Sequence, residues 1–345
     1  MGVKLKKEKS LEERKFKNIN LMNVILCLSV VMIHLIASPL SMLRKDSIWY
    51  FIIFIINKSL CFCVPAFLFL SGFKLHNKYK DESIDIKKFY LGRIKKIVIP
   101  YIVSFLVYFI YLWSKKWINT KEFVEYFFLG TLVAHFYYII IALQAYLLFP
   151  LLQKMFIKYD KILLVVSLIC TILFQAFIFF EYLDRFVGSY IFYFVFGMYV
   201  AKYNKKIKAN QLLKRAIIPF IMIAIIHITF SYMANIGGLQ YRSAPILNII
   251  YVILAILILY SSCILIKGNN NKLNNLIEII NKNSYYIYLY HILIIFLLQN
   301  EVYYHFNLSI RYRFIISVVV VYLFILAFCM IKKKINDNYK ERKEK

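Results

Sequence analysis

Long apolar runs, each about 20 residues and separated by short polar stretches, dominate the sequence. Ten stand out, at residues 19–37, 49–73, 97–113, 133–153, 162–180, 187–203, 216–234, 244–266, 284–300 and 314–331. Wound at 1.5 Å per residue, a run of that length crosses the ~30 Å hydrocarbon layer of a bilayer as one α-helix. The pattern predicts an all-α, polytopic membrane bundle of about ten transmembrane helices. Residues 19–331 form its one membrane domain, and residues 1–18 and 332–345 are basic tails. The first run exceeds the 7–15-residue core of a signal peptide and reads as an uncleaved helix. Residues 117–130 predict a short interfacial helix. Phe123, Phe127 and Phe128 lie on one side, Lys121, Glu122 and Glu125 on the other, and Asn119 sits at its cap.

Composition agrees. Hydrophobic residues make up 62% of the chain, against roughly 45–50% in soluble domains, and the mean hydropathy is +0.67. That excludes a free cytosolic enzyme and a secreted domain. A net charge of +27 in a soluble chain would point to nucleic acid. Here the basic residues punctuate apolar runs, so the expected partner is the lipid bilayer and not nucleic acid. With the N-terminus in the cytoplasm, 34 Lys/Arg fall on the cytoplasmic side and 9 outside. This positive-inside bias predicts that both termini are cytoplasmic. The most basic connection is residues 74–96. All six cysteines, Cys27, Cys61, Cys63, Cys170, Cys263 and Cys329, lie in apolar runs and read as small apolar fillers.

Ionisable groups within spans are costly and each is a functional candidate. His34 lies about 22 Å along the first helix, near the outer leaflet boundary, where an imidazole can accept a hydroxyl proton. Lys58 falls near the middle of the second run, facing a watery cavity or snorkelling past a helix break. His135 and Tyr137 open the fourth run as site groups or interfacial anchors, and Gln144 lies deeper, suited to hold a neighbour or a ligand. His227 and His291 are single imidazoles whose ordinary reading is a satisfied hydrogen bond between helices. No carboxylate falls mid-span, which argues against a carboxylate-based proton or cation path. No two histidines are spaced three or four apart, so no metal site is expected. There is no glycine-rich phosphate loop and no Gly-x-Ser-x-Gly turn.

Several segments together resemble the acyltransferase 3 family of integral membrane acyltransferases. Val64-Pro65-Ala66-Phe67-Leu68-Phe69-Leu70-Ser71-Gly72-Phe73 resembles its Val-Pro-x-Phe-Phe-x-x-Ser-Gly-Phe segment. Arg93-Ile94-Lys95-Lys96 followed by Ile99-Pro100-Tyr101 resembles its Arg-x-x-Arg…Pro-Tyr loop. His135-Phe136-Tyr137-Tyr138, Gln144 and Tyr146 to Pro150 are similar to its fourth helix, and Asn283 to His291 to its late Ser-x-x-x-Tyr-Leu-x-His segment. His34 matches the family's first-helix histidine. The departures are Asn23, where the family usually has Arg, Lys96 in place of the second loop Arg, and no Glu near Ala142. The Gln144 variant is similar to the subgroup of the biofilm poly-N-acetylglucosamine membrane protein, read both as an O-succinyltransferase and as an exporter.

The resemblance implies O-acyl transfer, acetyl or succinyl, from acyl-CoA to a hydroxyl of a cell-surface or lipid-linked glycan at a bacterial cell membrane. His34 would be the catalytic base. Arg93, Lys95 and Lys96 would hold the donor's phosphates. Lys58 or His135 would stabilise the oxyanion, with Ser71, Tyr137, Gln144 and His291 as further substrate-side groups. Acyl-CoA enters as donor substrate, and no prosthetic group is expected. The competing readings are a polysaccharide exporter, against which stands the lack of visible repeats and broken helices, and an inactive member partnering a glycan synthase.

Overall fold

The computed structural model describes residues 2–237, 245–266 and 271–344. The first residue of the predicted 244–266 run and the outermost residue of each predicted tail lie outside them. Among the described residues every regular element is helical. Among these residues six helical stretches are long and apolar enough to cross a membrane: Asn18–Met42, Ile48–Tyr79, Ile86–Ser114, Ala209–Ile236, Pro245–Leu265 and Ile310–Asn338. The protein is an integral membrane protein by that measure.

The other predicted runs also fall on helices, with altered limits. Runs 133–153 and 162–180 share one long element, α7 (Phe136–Ala176), bent where Tyr159 leaves helical geometry (φ −135°, ψ 47°). Run 187–203 is shortened. It begins in a 3-10 turn (Val187–Ser189), and its helix α8 (Ile191–Tyr203) has 13 residues, about 20 Å. Run 284–300 is the end of α11 (Asn271–Leu297), which continues as a π-helical turn at Leu298–Val302. Two further expectations are corrected. Run 49–73 is not one helix: α2 (Ile48–Ser59) stops, and α3 (Cys63–Tyr79) begins after a turn at 60–62. The basic 74–96 connection is mostly helical, with α3 running to Tyr79, then α4 (Ile86–Arg93), a π-turn (Ile94–Val98) and α5 (Ile99–Ser114).

The chain forms two compact units. One comprises residues 62–208 and 222–254, the other residues 1–61, 209–221 and 255–345.

In the first, α3 and α8 pack backbone against backbone. A Cβ on Gly72 would overlap the Phe194 carbonyl, and one on Gly197 would overlap that of Phe69. Small residues let backbones meet in this way where no hydrophobic driving force separates lipid from protein. Phe69 and Phe196 fill the flanks at 5.4 Å between ring centroids. The interfacial helix forms as α6 (Phe123–Leu129), preceded by a 3-10 turn that Asn119 caps by accepting from the Lys121 N–H. Phe123 and Phe127 pack against Phe105 of α5 at 5.3 and 5.2 Å. Phe128, expected beside them, is exposed. At the bend of α7, Asp160 receives the Lys202 ammonium at 2.8 Å and the Tyr203 hydroxyl at 2.7 Å, tying α7 to the end of α8.

In the second unit, α1 (Gly2–Met42), α11 and α12 (Ile310–Glu344) pack together. Tyr322 of α12 donates to the Leu28 carbonyl of α1 at 2.8 Å. Asn18 donates to the Ile264 carbonyl of α10 (Pro245–Leu265) at 3.0 Å.

Candidate functional site

Among the described residues, two clusters of polar side chains bring predicted site residues together, one in each unit.

The first is a seam between α1 and α11. Asn23, Cys27 and His34 are spaced by four and eleven residues and so share one face of α1. Asn281, Ser284 and His291 do the same on α11. Asn23 donates its amide to Asn281 Oδ1 at 2.9 Å and to Ser284 Oγ at 3.0 Å. The Ser284 hydroxyl proton goes to the Asn281 carbonyl at 2.9 Å, so its oxygen is left to accept from Asn23. Cys27 Sγ approaches the Ser284 carbonyl at 3.5 Å, a polar contact beyond the filler role expected of it. About 16 Å along the helix from Asn23, the ring of His34 lies 5.1 Å from that of His291, tilted by 49°.

His291 is buried, and its Nδ1 meets the Ile287 and Tyr288 carbonyls at 3.1 and 2.8 Å. Carbonyls only accept, so Nδ1 carries a proton, which in a neutral ring leaves the lone pair on Nε2. The expected bond to another helix is therefore a bond within α11. His34 is half-buried against this ring.

Lys58, expected near mid-helix, stands in the last turn of α2, where the carbonyl end of the helix favours a cation. Its ammonium lies 5.5 Å from the Phe54 ring.

The second cluster joins α3, α4 and α7. Ser71 Oγ and Tyr146 OH are 3.1 Å apart. The Arg93 guanidinium lies over both Tyr146, at 5.5 Å, and Phe89, at 5.4 Å. Its Nε is buried and has no hydrogen-bond partner within the protein. Tyr90 donates to the Leu147 carbonyl at 2.9 Å, fixing α4 on α7. The predicted cationic trio therefore divides. Arg93 turns inward, while Lys95 and Lys96, on the π-turn, are exposed.

Tyr146 was not singled out from the sequence as a site residue. Its place in the helical segment beginning at Gln144 was the available signal. His76 was also missed. It is buried, with Nδ1 3.0 Å from Gln153 Oε1, and Gln153 donates its amide to the Tyr79 carbonyl at 3.3 Å. That carbonyl fixes the Gln153 orientation, so His76 Nδ1 is the donor.

Other predicted residues lie outside these two clusters. Gln144 accepts from the Val187 N–H and donates to the Arg185 carbonyl, both at 2.9 Å, and so holds the 183–189 turns. His135 is buried at the start of α7 against Phe136 and edge-on to Tyr108, at 4.6 and 5.7 Å. Tyr137 follows, half-buried. His227 stacks on Tyr251 at 4.5 Å, with rings 5° from parallel.

An all-helical membrane protein whose spans carry an imidazole pair on one seam and an inward arginine on another fits the class of integral membrane transferases. A sequence profile described as an acyltransferase domain, acyltransferase 3, matches residues 16–333, nearly the whole chain. The chain belongs to that family and is a membrane acyltransferase. No curated protein and no solved structure matches it.

Proposed function

We propose that the protein transfers an acetyl or succinyl group from acyl-CoA to a hydroxyl of a cell-surface or lipid-linked carbohydrate. The observation that carries this reading is the His34–His291 contact, because one ring has a fixed tautomer and holds the other beside it. In this reading His34 takes the proton from the acceptor hydroxyl as general base, and His291 positions it. Arg93 binds the phosphates of the donor, beside the hydroxyl pair of Ser71 and Tyr146. The exposed Lys95 and Lys96 add long-range attraction for a polyanion.

The topology proposed with it has about ten spans and both termini in the cytoplasm of a bacterial cell. It rests on the fourfold bias of basic residues. In that frame α1 runs outward, and His34, sixteen residues beyond Asn18, lies in its outer third, while Arg93 belongs to a cytoplasmic connection.

A second reading, polysaccharide export, draws on the interruption at residues 60–62, since broken spans are a feature of transporters. Reconstitution into liposomes separates the two. Loss of acyl-CoA together with a mass gain on the glycan supports transfer. Movement of glycan across the bilayer without a mass change overturns it in favour of export.

A further inference from the structure

In the unit built from α1, α11 and α12, the C-terminal end of α1 and the chain following α11 frame a cleft of about 230 Å³. Ser38 lines it from α1, Gln299 and Asn300 from the π-helical turn, Tyr303 from the turn after, and Arg313 and Ser317 from α12. Ser38 follows His34 by four residues, so the cleft opens on the same face of α1, about one turn and 6 Å further along.

We propose that this cleft is the acceptor pocket and that it takes one uncharged sugar ring. The acceptor role rests on the acyl-transfer reading; sugar binding does not. Three features support this ligand. Two adjacent amides, Gln299 and Asn300, offer donors and acceptors side by side, which matches vicinal hydroxyls that both donate and accept. Asn300 donates to the Phe296 carbonyl at 2.9 Å, so its own oxygen has a set direction. Tyr303 is locked as a flat wall, because its hydroxyl donates to the Arg313 carbonyl at 3.1 Å and meets Ser317 Oγ at 2.9 Å.

Arg313 argues against an anion. Its Nε and Nη2 bond the Leu308 and Phe306 carbonyls at 2.9 and 3.3 Å, so it braces the rim and does not turn its fork to a ligand. Size argues against an oligosaccharide, since sites for drug-sized ligands begin at about 300 Å³. The π-turn widens the helix where the two amides enter the cleft, and π segments recur at functional sites.

The test uses the full chain in lipid nanodiscs. Ser38→Cys is introduced and its maleimide labelling rate measured, with the parent chain giving the background from native cysteines. Met42→Cys, which also lines the cleft, serves if Ser38→Cys folds poorly. Methyl β-D-glucopyranoside and methyl N-acetyl-β-D-glucosaminide are the probes, with glycerol and phosphocholine as controls. Binding at four times Kd slows labelling about fivefold. Protection by a glycoside, lost in a Gln299→Ala/Asn300→Ala double variant, is the expected result. No slowing by either glycoside, equal slowing by a control, or protection unchanged in the double variant overturns the proposal. Protection in a protein that transfers no acyl group keeps the sugar site and overturns the acceptor role.

Discussion

In the unit of residues 62–208 and 222–254, α3 and α8 meet backbone to backbone at Gly72 and Gly197. In the other unit, α1 meets α11 through an amide, a thiol and an imidazole. The first seam works because side chains are missing, and it admits no addition. The second works through directional polar contacts, which average about 0.6 kcal/mol each between membrane helices and reach about 1.7. A seam of that kind loses one contact without coming apart. It is therefore where a chemically demanding group such as His34 sits at tolerable cost to the fold. The Ser71-Gly72-Phe73 segment combines both roles in three residues: Ser71 faces Tyr146 while Gly72 admits α8.

The sharpest way to break the contrast is to add one side chain to the tight seam. Gly72→Leu is expected to abolish assembly of its unit. Even Gly72→Ala pushes a methyl into backbone that cannot rotate away, at a cost of about 3 kcal/mol or more. Size-exclusion chromatography of a fluorescent fusion reads the loss, and a sharp, wild-type peak for Gly72→Leu would refute the close crossing.

On the polar seam, His34→Ala is expected to leave that chromatogram unchanged while lowering acyl transfer by about 10²–10⁴-fold, the usual contribution of a general base. Retained activity would remove His34 from the chemistry.

Arg93→Ala should raise the KM for acyl-CoA about tenfold with little change in kcat, the pattern of lost ground-state binding. Lys95→Ala and Lys96→Ala should change it less than about threefold, because exposed charges are screened. Equal effects at all three positions would contradict the inward placement of Arg93.

Asn23→Leu removes both amide bonds to α11 and leaves Asn281 and Ser284 without them. A loss of about 1–2 kcal/mol is expected, read as a lower thermal-unfolding midpoint in detergent. No shift would mean that the seam gains nothing from this contact.

The smallest effect belongs to Asp160, outside the spans. Hydrogen bonds from Lys202 and Tyr203 hold its carboxyl down to about 2, below the ~3.9 of a free aspartate. A depressed value means the clamp contributes fully above pH ~4 and is lost as pH falls toward 2. Asp160→Asn should cost about 1–3 °C in midpoint at pH 7, a difference that shrinks as pH falls through about 2. A pH-independent difference would assign the loss to packing instead.

Helix positions were largely legible because twenty apolar residues in a row leave few alternatives. Interruptions were not. The turn at 60–62 lies inside a continuous apolar run, Leu60-Cys61-Phe62, where hydropathy carries no punctuation. The bend at Tyr159 carried a cue, the Lys158-Tyr159-Asp160-Lys161 cluster, which read as a loop between two spans. The candidate site was readable in its residue types but not its partners. His34 stood out as an ionisable group within a span, Arg93 through the resemblance, and Gln144 as a deep polar group. Only packing separates Gln144, which holds the 183–189 turns, from Arg93, which faces Tyr146. Asn23, which the resemblance marks as a missing Arg, forms two of the contacts tying α1 to α11.

Membership of the lipid phase, the helical class and the inventory of polar groups followed from sequence alone, because solvation by hydrocarbon is additive along a chain and forbids unpaired backbone. Which of those groups meet was decided by tertiary structure. A partner 258 residues away, as Asn281 is for Asn23, is chosen by how helix faces dock, and no local pattern encodes that.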